Sequence, residues 1–472
     1  MQDEWNAHFI AGRWEQPTGE SWIVVENPAT GQEVGSVPVG TRQDVDRAVT
    51  AARDALDRWS ATSVECRAQL LDRVAELLEQ RQEQIAQIVM AELGAPIRLA
   101  RALHAALPVR DVQETARVLR GMTFEAEVGN SRVFSVPAGV VGAITPWNYP
   151  VHQVATKIIP AIAAGCTVVL KLSELAPLSG LLFARTIQDA GLPDGVLNVV
   201  NGDGAVGQAI VEHPGIDMVS FTGSEDTGRA VAQRAAASFK RVALELGGKS
   251  ANIILDDADL AAAVKVGVAN CFLNSGQSCN ALTRMLVPID ALDDAEQIAS
   301  AAAAKYVPGD PADAKTRIGP VISAVQRDKV VRAVELGLAE GAKLLTGGVE
   351  PPSGALTGHY VRPTVFSRVS QDASLAQEEI FGPVLSIIGY EDELDAIDIA
   401  NNSRFGLGGA VWSASADRAS RVARRIRTGQ VDINGGAFNP AAPFGGTKNS
   451  GYGRELGSAG ISEFLDHQSL QF

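Results

Sequence analysis

The chain has 472 residues, 46% hydrophobic and 20% charged, enough for two or three domains with cores of normal size. A formal net charge of −14 argues against a nucleic-acid backbone as the main partner, since that needs clustered Lys and Arg. The four cysteines (66, 166, 271 and 279) give no C-x-x-C pair or disulfide framework, and the scattered histidines give no metal-ligand cluster.

The opening MQDEWNAHFIAGRW lacks a basic start followed by an apolar core, so no signal peptide is expected. Residues 43–120 read as helices, DVDRAVTAARDALDRW and CRAQLLDRVAELLEQRQEQIAQIVMAEL, with apolar residues at helical spacing. Gly94 and Pro96 stop the second. From 140 the rhythm changes. VVGAIT, TVVLK, GVLNVV, DMVSFT and RVALEL are short β-rich runs separated by helical stretches, the pattern of a parallel sheet with crossover helices. Such sheets bind ligands beyond the C-terminal ends of their strands. The longest apolar run, 158–170, contains Pro160 and Gly165 and is too short and broken to span a bilayer. A soluble cytoplasmic protein without a metal is the expectation. After 248 a second α/β stretch follows, with strands in ANIILD, SCNALTRMLVP and FGPVLSII, and the tail ISEFLDHQSLQF reads as a helix end and an extended piece.

Two segments compete as a dinucleotide loop. Gly202, Gly204 and Gly207 in G-D-G-A-V-G match G-x-G-x-x-G after a strand, but a strand-to-helix turn needs small residues too. F-T-G-S, 221–224, ends another strand and places Ser224 at a helix N-terminus, where an anion is favoured. Physical reasoning on the sequence leaves both open. In N-S-G-Q-S-C-N, 274–280, Cys279 lies among turn-forming residues rather than apolar ones, which suits either a half-buried structural thiol or a nucleophile.

Read together, T-P-W-N-Y-P (145–150), F-T-G-S (221–224), V-A-L-E-L-G-G-K (242–249), N-S-G-Q-S-C-N (274–280), E-E-I-F-G-P-V (378–384) and P-F-G-G-T-K-N-S-G-Y-G-R-E (443–455) resemble, in order, the signatures of the aldehyde dehydrogenase superfamily. The resemblance implies an α/β fold of three parts: a Rossmann-type NAD-binding domain (1–119 and 138–247), an α/β catalytic domain (248–447) and a small β oligomerisation extension (120–137 and 459–472) that joins subunits into homodimers or homotetramers. It favours Ser224 over the fingerprint at Gly202.

The implied reaction is NAD-dependent oxidation of an aldehyde to a carboxylic acid through a cysteine thiohemiacetal and thioester. Cys279 matches the nucleophile; an unperturbed thiol, with a pKa near ~8.5, is only a few per cent thiolate at neutral pH and has to be activated. Asn148 matches the oxyanion donor, with the backbone N–H of Cys279 as its partner; the plain alternative is an Asx-turn before Pro150. Glu245 matches the base that activates water for thioester hydrolysis; alternatively it is a satisfied strand-end carboxylate. The implied cofactor residues are Ile144, Thr145, Trp147, Lys171, Ser173, Glu174, Gly204, Phe221, Thr222, Gly223, Ser224, Leu246, Gly247, Glu379 and Phe381. Glu174 beside the ribose 2′-hydroxyl favours NAD over NADP, and Leu172 departs from the family's usual proline. The implied substrate tunnel holds Tyr149, His152, Gln153, Thr156, Ser278, Asn280, Phe438 and Phe444. Relatives acting on succinic semialdehyde tend to carry an arginine where this chain has Thr156, so a neutral aliphatic or aromatic aldehyde of medium size is expected. A CoA-acylating dehydrogenase would resemble this family but lack the glutamate at 245, and a catalytically silent relative would have no physical need for the full set.

Overall fold

The computed structural model describes residues 5–354 and 356–472. Five parallel strands form the centre of the first sheet, in the spatial order Leu197–Val199, Thr167–Lys171, Val140–Ile144, Met218–Thr222, Arg241–Glu245. The chain therefore builds outward from Val140–Ile144 in one direction, then crosses back and builds in the other. At that reversal the segments following Ile144 and Thr222 diverge and open a crevice, the place where doubly wound sheets take ligands. The first four of these strands are buried along their whole length, which is why Val140–Ile144 and Thr167–Lys171 are mostly consecutive apolar residues instead of alternating ones.

The edges are closed by antiparallel pieces, which leaves little unpaired backbone at the rims. The hairpin His8–Ile10 and Arg13–Glu15 covers one side, and Gly451–Tyr452 from near the C-terminus covers the other, with Gly451 opposite Glu245. A second sheet runs Lys343–Thr346, Thr364–Ser367, Val384–Tyr390, Arg284–Pro288, Ala251–Ile254, Gly409–Trp412, Asp432–Ile433, parallel except at its first pair. Glu125–Val128, Ser131–Pro137 and Leu465–Gln471 make a third, antiparallel sheet that joins residues far apart in sequence. It is largely exposed.

Two expected elements differ. The helix expected over 66–93 is two helices, Val64–Gln80 and Gln82–Leu93, broken at Arg81, because a uniform apolar stripe does not record a change of axis direction. Gly94, left-handed at φ 78°, ends the second as expected. Of SCNALTRMLVP, only Arg284–Pro288 is a strand; the part before it is a loop held by side chains.

The helix Pro150–Ala164 sets the active region. Pro150 starts it at the first helical position, where no backbone N–H is needed, and Gly165 at φ 96° ends it. Every residue of this helix except His152 is buried. Its rigid first turn fixes Asn148 and Tyr149 just ahead of it.

Candidate active site

The cysteine loop explains its own sequence. After the helix Leu260–Phe272 the backbone takes three left-handed residues in succession, Asn274 at φ 52°, Ser275 at φ 57° and Gly276 at φ 75°. For residues with a Cβ this conformation costs roughly 1–2 kcal/mol each. Side chains hold it in place. Asn274 Nδ2 donates to the carbonyl of Asn148 at 2.9 Å, Ser275 Oγ to that of Gly319 at 3.0 Å, and Gln277 Nε2 to that of Asn274 at 3.1 Å, while Gln277 Oε1 accepts from the N–H of Ile322 at 2.8 Å. A side chain at Gly276 would strike the backbone of Gly382. Cys279 follows, half-buried, and faces a cleft of about 610 Å³.

The cleft lies at the sheet reversal. It brings Cys279 and Asn148 together with eight of the expected cofactor residues: Trp147, Thr222, Gly223, Ser224, Leu246, Gly247, Glu379 and Phe381. Pro146, Gln326 and Lys329 line it too, and no signal in the sequence singled these out. Trp147 and Phe381 meet edge to face at 5.3 Å, and Phe381 is itself held left-handed at φ 58°. Ser224 caps the helix Glu225–Ala236, its Oγ accepting from the N–H of Thr227. Glycines admit close approach at two points. A Cβ at Gly223 would lie 2.5 Å from the ring of Phe221, and one at Gly247 would overlap the carboxylate of Glu379, which accepts a hydrogen bond from the N–H of Gly248.

The other expected cofactor residues lie elsewhere. Ile144 and Phe221 are buried strand positions, and Thr145 is buried at the strand end with its hydroxyl unpartnered. Lys171 Nζ sits 2.6 Å from Glu174 Oε2, and Ser173 Oγ accepts from the N–H of Leu175. Leu172, where the family's proline was expected, is buried against Gly180. Gly204 opens the helix Gly204–Glu212 with open space around it, outside the lining of the cleft, as suits a turn.

Asn148 is buried. Its Nδ2 donates to the carbonyl of Gln277 at 3.2 Å, which fixes the amide and leaves a second N–H on the same nitrogen. Glu245, at the end of its strand, is 6% exposed and neither carboxylate oxygen has a hydrogen-bond partner. Burial, then the charge of Glu455, lifts its pKa well above the usual carboxylate range, while Lys157 and Arg454 pull the other way. Lys157 and Glu455 form a buried pair at 2.7 Å. Burial, followed by the charges of Glu245, Glu379 and Glu455, pushes the Cys279 thiol up to about 12. The resting nucleophile is therefore a thiol, not a thiolate, and a nearby carboxylate with a raised pKa can take its proton.

A row of rings starts next to the cysteine loop. The hydroxyl of Tyr149 is 2.6 Å from that of Ser278, and its ring stacks on His104 at 4.9 Å. His152 stands edge-on to Phe438 at 6.3 Å, and Phe438 to Phe444 at 6.2 Å. Gln153 is buried with Oε1 unpartnered, Thr156 turns its hydroxyl back to the carbonyl of Gln153, and Asn280 is half-buried. Nothing in their own stretches of sequence marks His104, in the π-helical segment Ala100–Ala105, or Asp111, on the helix Ala106–Gly121, as part of this row.

The aldehyde dehydrogenase family model matches residues 14–470. The chain belongs to the aldehyde dehydrogenase family. A curated relative, the 3-succinoylsemialdehyde-pyridine dehydrogenase of a Pseudomonas species, is 50% identical over 469 residues, covering 99% of this chain and 98% of that protein. Aldehyde dehydrogenase C of Pseudomonas syringae, solved as a Cys-to-Ala variant with NAD+ and octanal, superposes with a TM-score of 0.99 at 47% identity, covering 100% of this chain and 97% of that one. An aldehyde dehydrogenase of Mycobacterium tuberculosis solved with NAD+ gives a TM-score of 0.97 at 41% identity, covering 99% of this chain and 98% of that one. As an aldehyde dehydrogenase, the chain is an oxidoreductase with a parallel-sheet cofactor fold. Among the described residues no helix is long and apolar enough to cross a membrane, and no group of His, Cys, Asp or Glu could hold a metal ion.

Proposed function

We propose that this aldehyde dehydrogenase uses NAD to oxidise a neutral, medium-sized aldehyde to its carboxylic acid, with Cys279 as nucleophile. The observation that carries this reading is the meeting of Cys279 and Asn148 in one cleft with Trp147, Glu379 and Phe381. The cleft suits a dinucleotide: its wall holds a buried Thr222 hydroxyl with no partner beside Ser224 at a helix N-terminus, and Gly223 and Gly247 let that wall close against Phe221 and Glu379 where a Cβ would collide. Residues 222–224 and 246–247 would hold the pyrophosphate side, and Glu379 and Phe381 the nicotinamide ribose and ring. The NAD+ complexes of the Pseudomonas syringae and Mycobacterium tuberculosis enzymes support this choice. When bound, NAD+ supplies a hydride acceptor.

The protein's part begins with deprotonation of Cys279: Glu245 takes the thiol proton and passes it to solvent, which leaves the carboxylate ionised again. The sulfur adds to the aldehyde carbon, and the oxyanion that forms is stabilised by Asn148 Nδ2 and the backbone N–H of Cys279; one such donor is typically worth about 2.7–4 kcal/mol. Collapse of the oxyanion expels the hydride and leaves a thioester on Cys279. Glu245, ionised, then takes a proton from water as it attacks the thioester carbon; the acid leaves and the thiol is restored. A glutamate here separates this reading from acyl transfer to coenzyme A.

Lys171 and Glu174 would hold the adenosine ribose, and the carboxylate would repel a 2′-phosphate, so NAD is preferred to NADP. For the substrate, the wall of Tyr149, His152, Phe438 and Phe444 is mostly aromatic, and relatives acting on octanal and on a pyridine-bearing semialdehyde support an uncharged chain. The exposed sheet formed by Glu125–Val128, Ser131–Pro137 and Leu465–Gln471 is the part that would pair subunits into dimers or tetramers, in the cytoplasm. The test is NADH formation across hexanal, benzaldehyde, succinic semialdehyde and betaine aldehyde. The neutral pair is expected to lead in kcat/KM; a charged aldehyde ahead by more than about tenfold would overturn the substrate reading.

A further inference from the structure

His152 departs from its surroundings. It is the one residue of the Pro150–Ala164 helix that is not buried. Its ring stands between two others, edge-on to Tyr149 at 6.4 Å and to Phe438 at 6.3 Å. Tyr149 touches Ser278, the neighbour of Cys279, and Phe438 is 37% exposed, so these contacts run from beside the nucleophile out to the surface with the imidazole midway. Behind it, Nδ1 lies 2.6 Å from Asp111 Oδ2, and Asp111, on the helix Ala106–Gly121, is 3% exposed. A buried carboxylate bound to one ring nitrogen fixes both the ring's orientation and its tautomer, so that nitrogen is the donor to Asp111 and Nε2 is the atom left to meet a ligand.

We propose that His152, oriented by Asp111, determines specificity by donating a hydrogen bond from Nε2 to an uncharged acceptor on the aldehyde's chain, such as a keto oxygen a few carbons from the reacting carbon. The inference deepens the aldehyde dehydrogenase reading above and rests on it. An uncharged acceptor fits because the imidazolium is already balanced by Asp111, and a substrate carboxylate would add a third charge where Glu455 is also close. A plain alkanal leaves a desolvated donor unpaired, and a site built around a polar contact discriminates strongly against the analogue that lacks it.

Nε2 donates only while the ring is protonated. Burial opposes the imidazolium most, and Lys157 on the same helix adds to that; the charge and hydrogen bond of Asp111, across from it, and then Glu455, from the C-terminal segment, favour it, and His104 lies nearby. The outcome is a His152 pKa above the ordinary histidine value. The preference for the keto aldehyde is thus present at lower pH and lost as pH rises through that raised pKa.

The experiment compares kcat/KM for 4-oxohexanal and hexanal, read as NADH formation with NAD. The wild-type enzyme is expected to favour 4-oxohexanal by about tenfold, or roughly 1.4 kcal/mol. His152→Leu should bring the ratio near unity, while His152→Gln, which keeps an N–H donor, should retain part of it. Asp111→Asn should lose the ratio at a lower pH than wild type does, a shift that a merely structural role for Asp111 would not produce. A wild-type ratio within twofold of unity, or the same ratio in wild type and His152→Leu, overturns the proposal while leaving the enzyme an aldehyde dehydrogenase. No NADH from either aldehyde with wild-type enzyme would take down the underlying reading as well.

Discussion

Lys157 Nζ and Glu455 Oε1 meet at 2.7 Å inside the protein, and both act electrostatically on Glu245, Glu455 raising its pKa and Lys157 lowering it. The two sides of one ion pair therefore set the protonation of the proposed base in opposite senses. Glu455→Gln removes the like charge, so Glu245 stays ionised to lower pH and the acidic limb of the rate profile moves down. Lys157→Met removes the opposing charge, so the limb moves up, and an unpaired buried carboxylate costs about 3–5 kcal/mol of stability. Profiles of kcat against pH check both; shifts in the same direction would remove Glu245 as the titrating group.

Cys279→Ala is expected to abolish oxidation while NAD binding, followed by fluorescence quenching, and the melting temperature stay near wild type, since the loop is held by Asn274, Ser275 and Gln277 and not by the thiol. Glu245→Gln should leave a pre-steady-state burst of NADH followed by a slow steady rate, because deacylation is the step that needs the base. Uniform slowing without a burst would point to a different base.

Glu174→Gln removes the charge that would meet a 2′-phosphate, and it also frees Lys171, now 2.6 Å from that carboxylate, to bind one. The ratio of kcat/KM for NADP over NAD should rise by about tenfold or more, the scale of one charge-assisted contact. A wild-type enzyme that already prefers NADP would contradict the assignment.

Gly276→Ala combines a left-handed backbone at φ 75° with a methyl group driven into the backbone of Gly382. The atoms it meets belong to the backbone of Gly382 and Pro383, with no flexible side-chain tip that could swing away. The variant should lose about 3 kcal/mol or more of stability, with loss of activity exceeding that of its NAD binding. Thermal melts beside turnover measurements test this; a stable, active variant would show that the loop is not pinned as described.

The sequence by itself determined the parallel sheet, because buried Val- and Ile-rich runs between helices leave few other folds, and its order of motifs determined the family. Its residues alone offered Cys279, Asn148 and Glu245 only beside plain structural readings, a half-buried thiol, an Asx-turn and a satisfied strand-end carboxylate, and the order of motifs was what singled them out. Only the tertiary structure decided which residues join them. Gln326 and Lys329 reach the cleft from a helix whose own pattern is unremarkable, and Glu455 reaches Lys157 across nearly 300 positions, |i−j| = 298. It also separated Gly204 from the cleft, since the G-x-G-x-x-G spacing describes a turn equally well, and it placed Asp111 behind His152. Such pairings depend on how helices pack around the sheet, and packing joins residues by distance in space, for which spacing along the chain carries no signal. Protonation was decided at that level too. The thiol and the carboxylate beside it are displaced from their ordinary values first by burial and next by neighbours brought in from remote segments, and neither is a property of the residue in its own stretch of sequence.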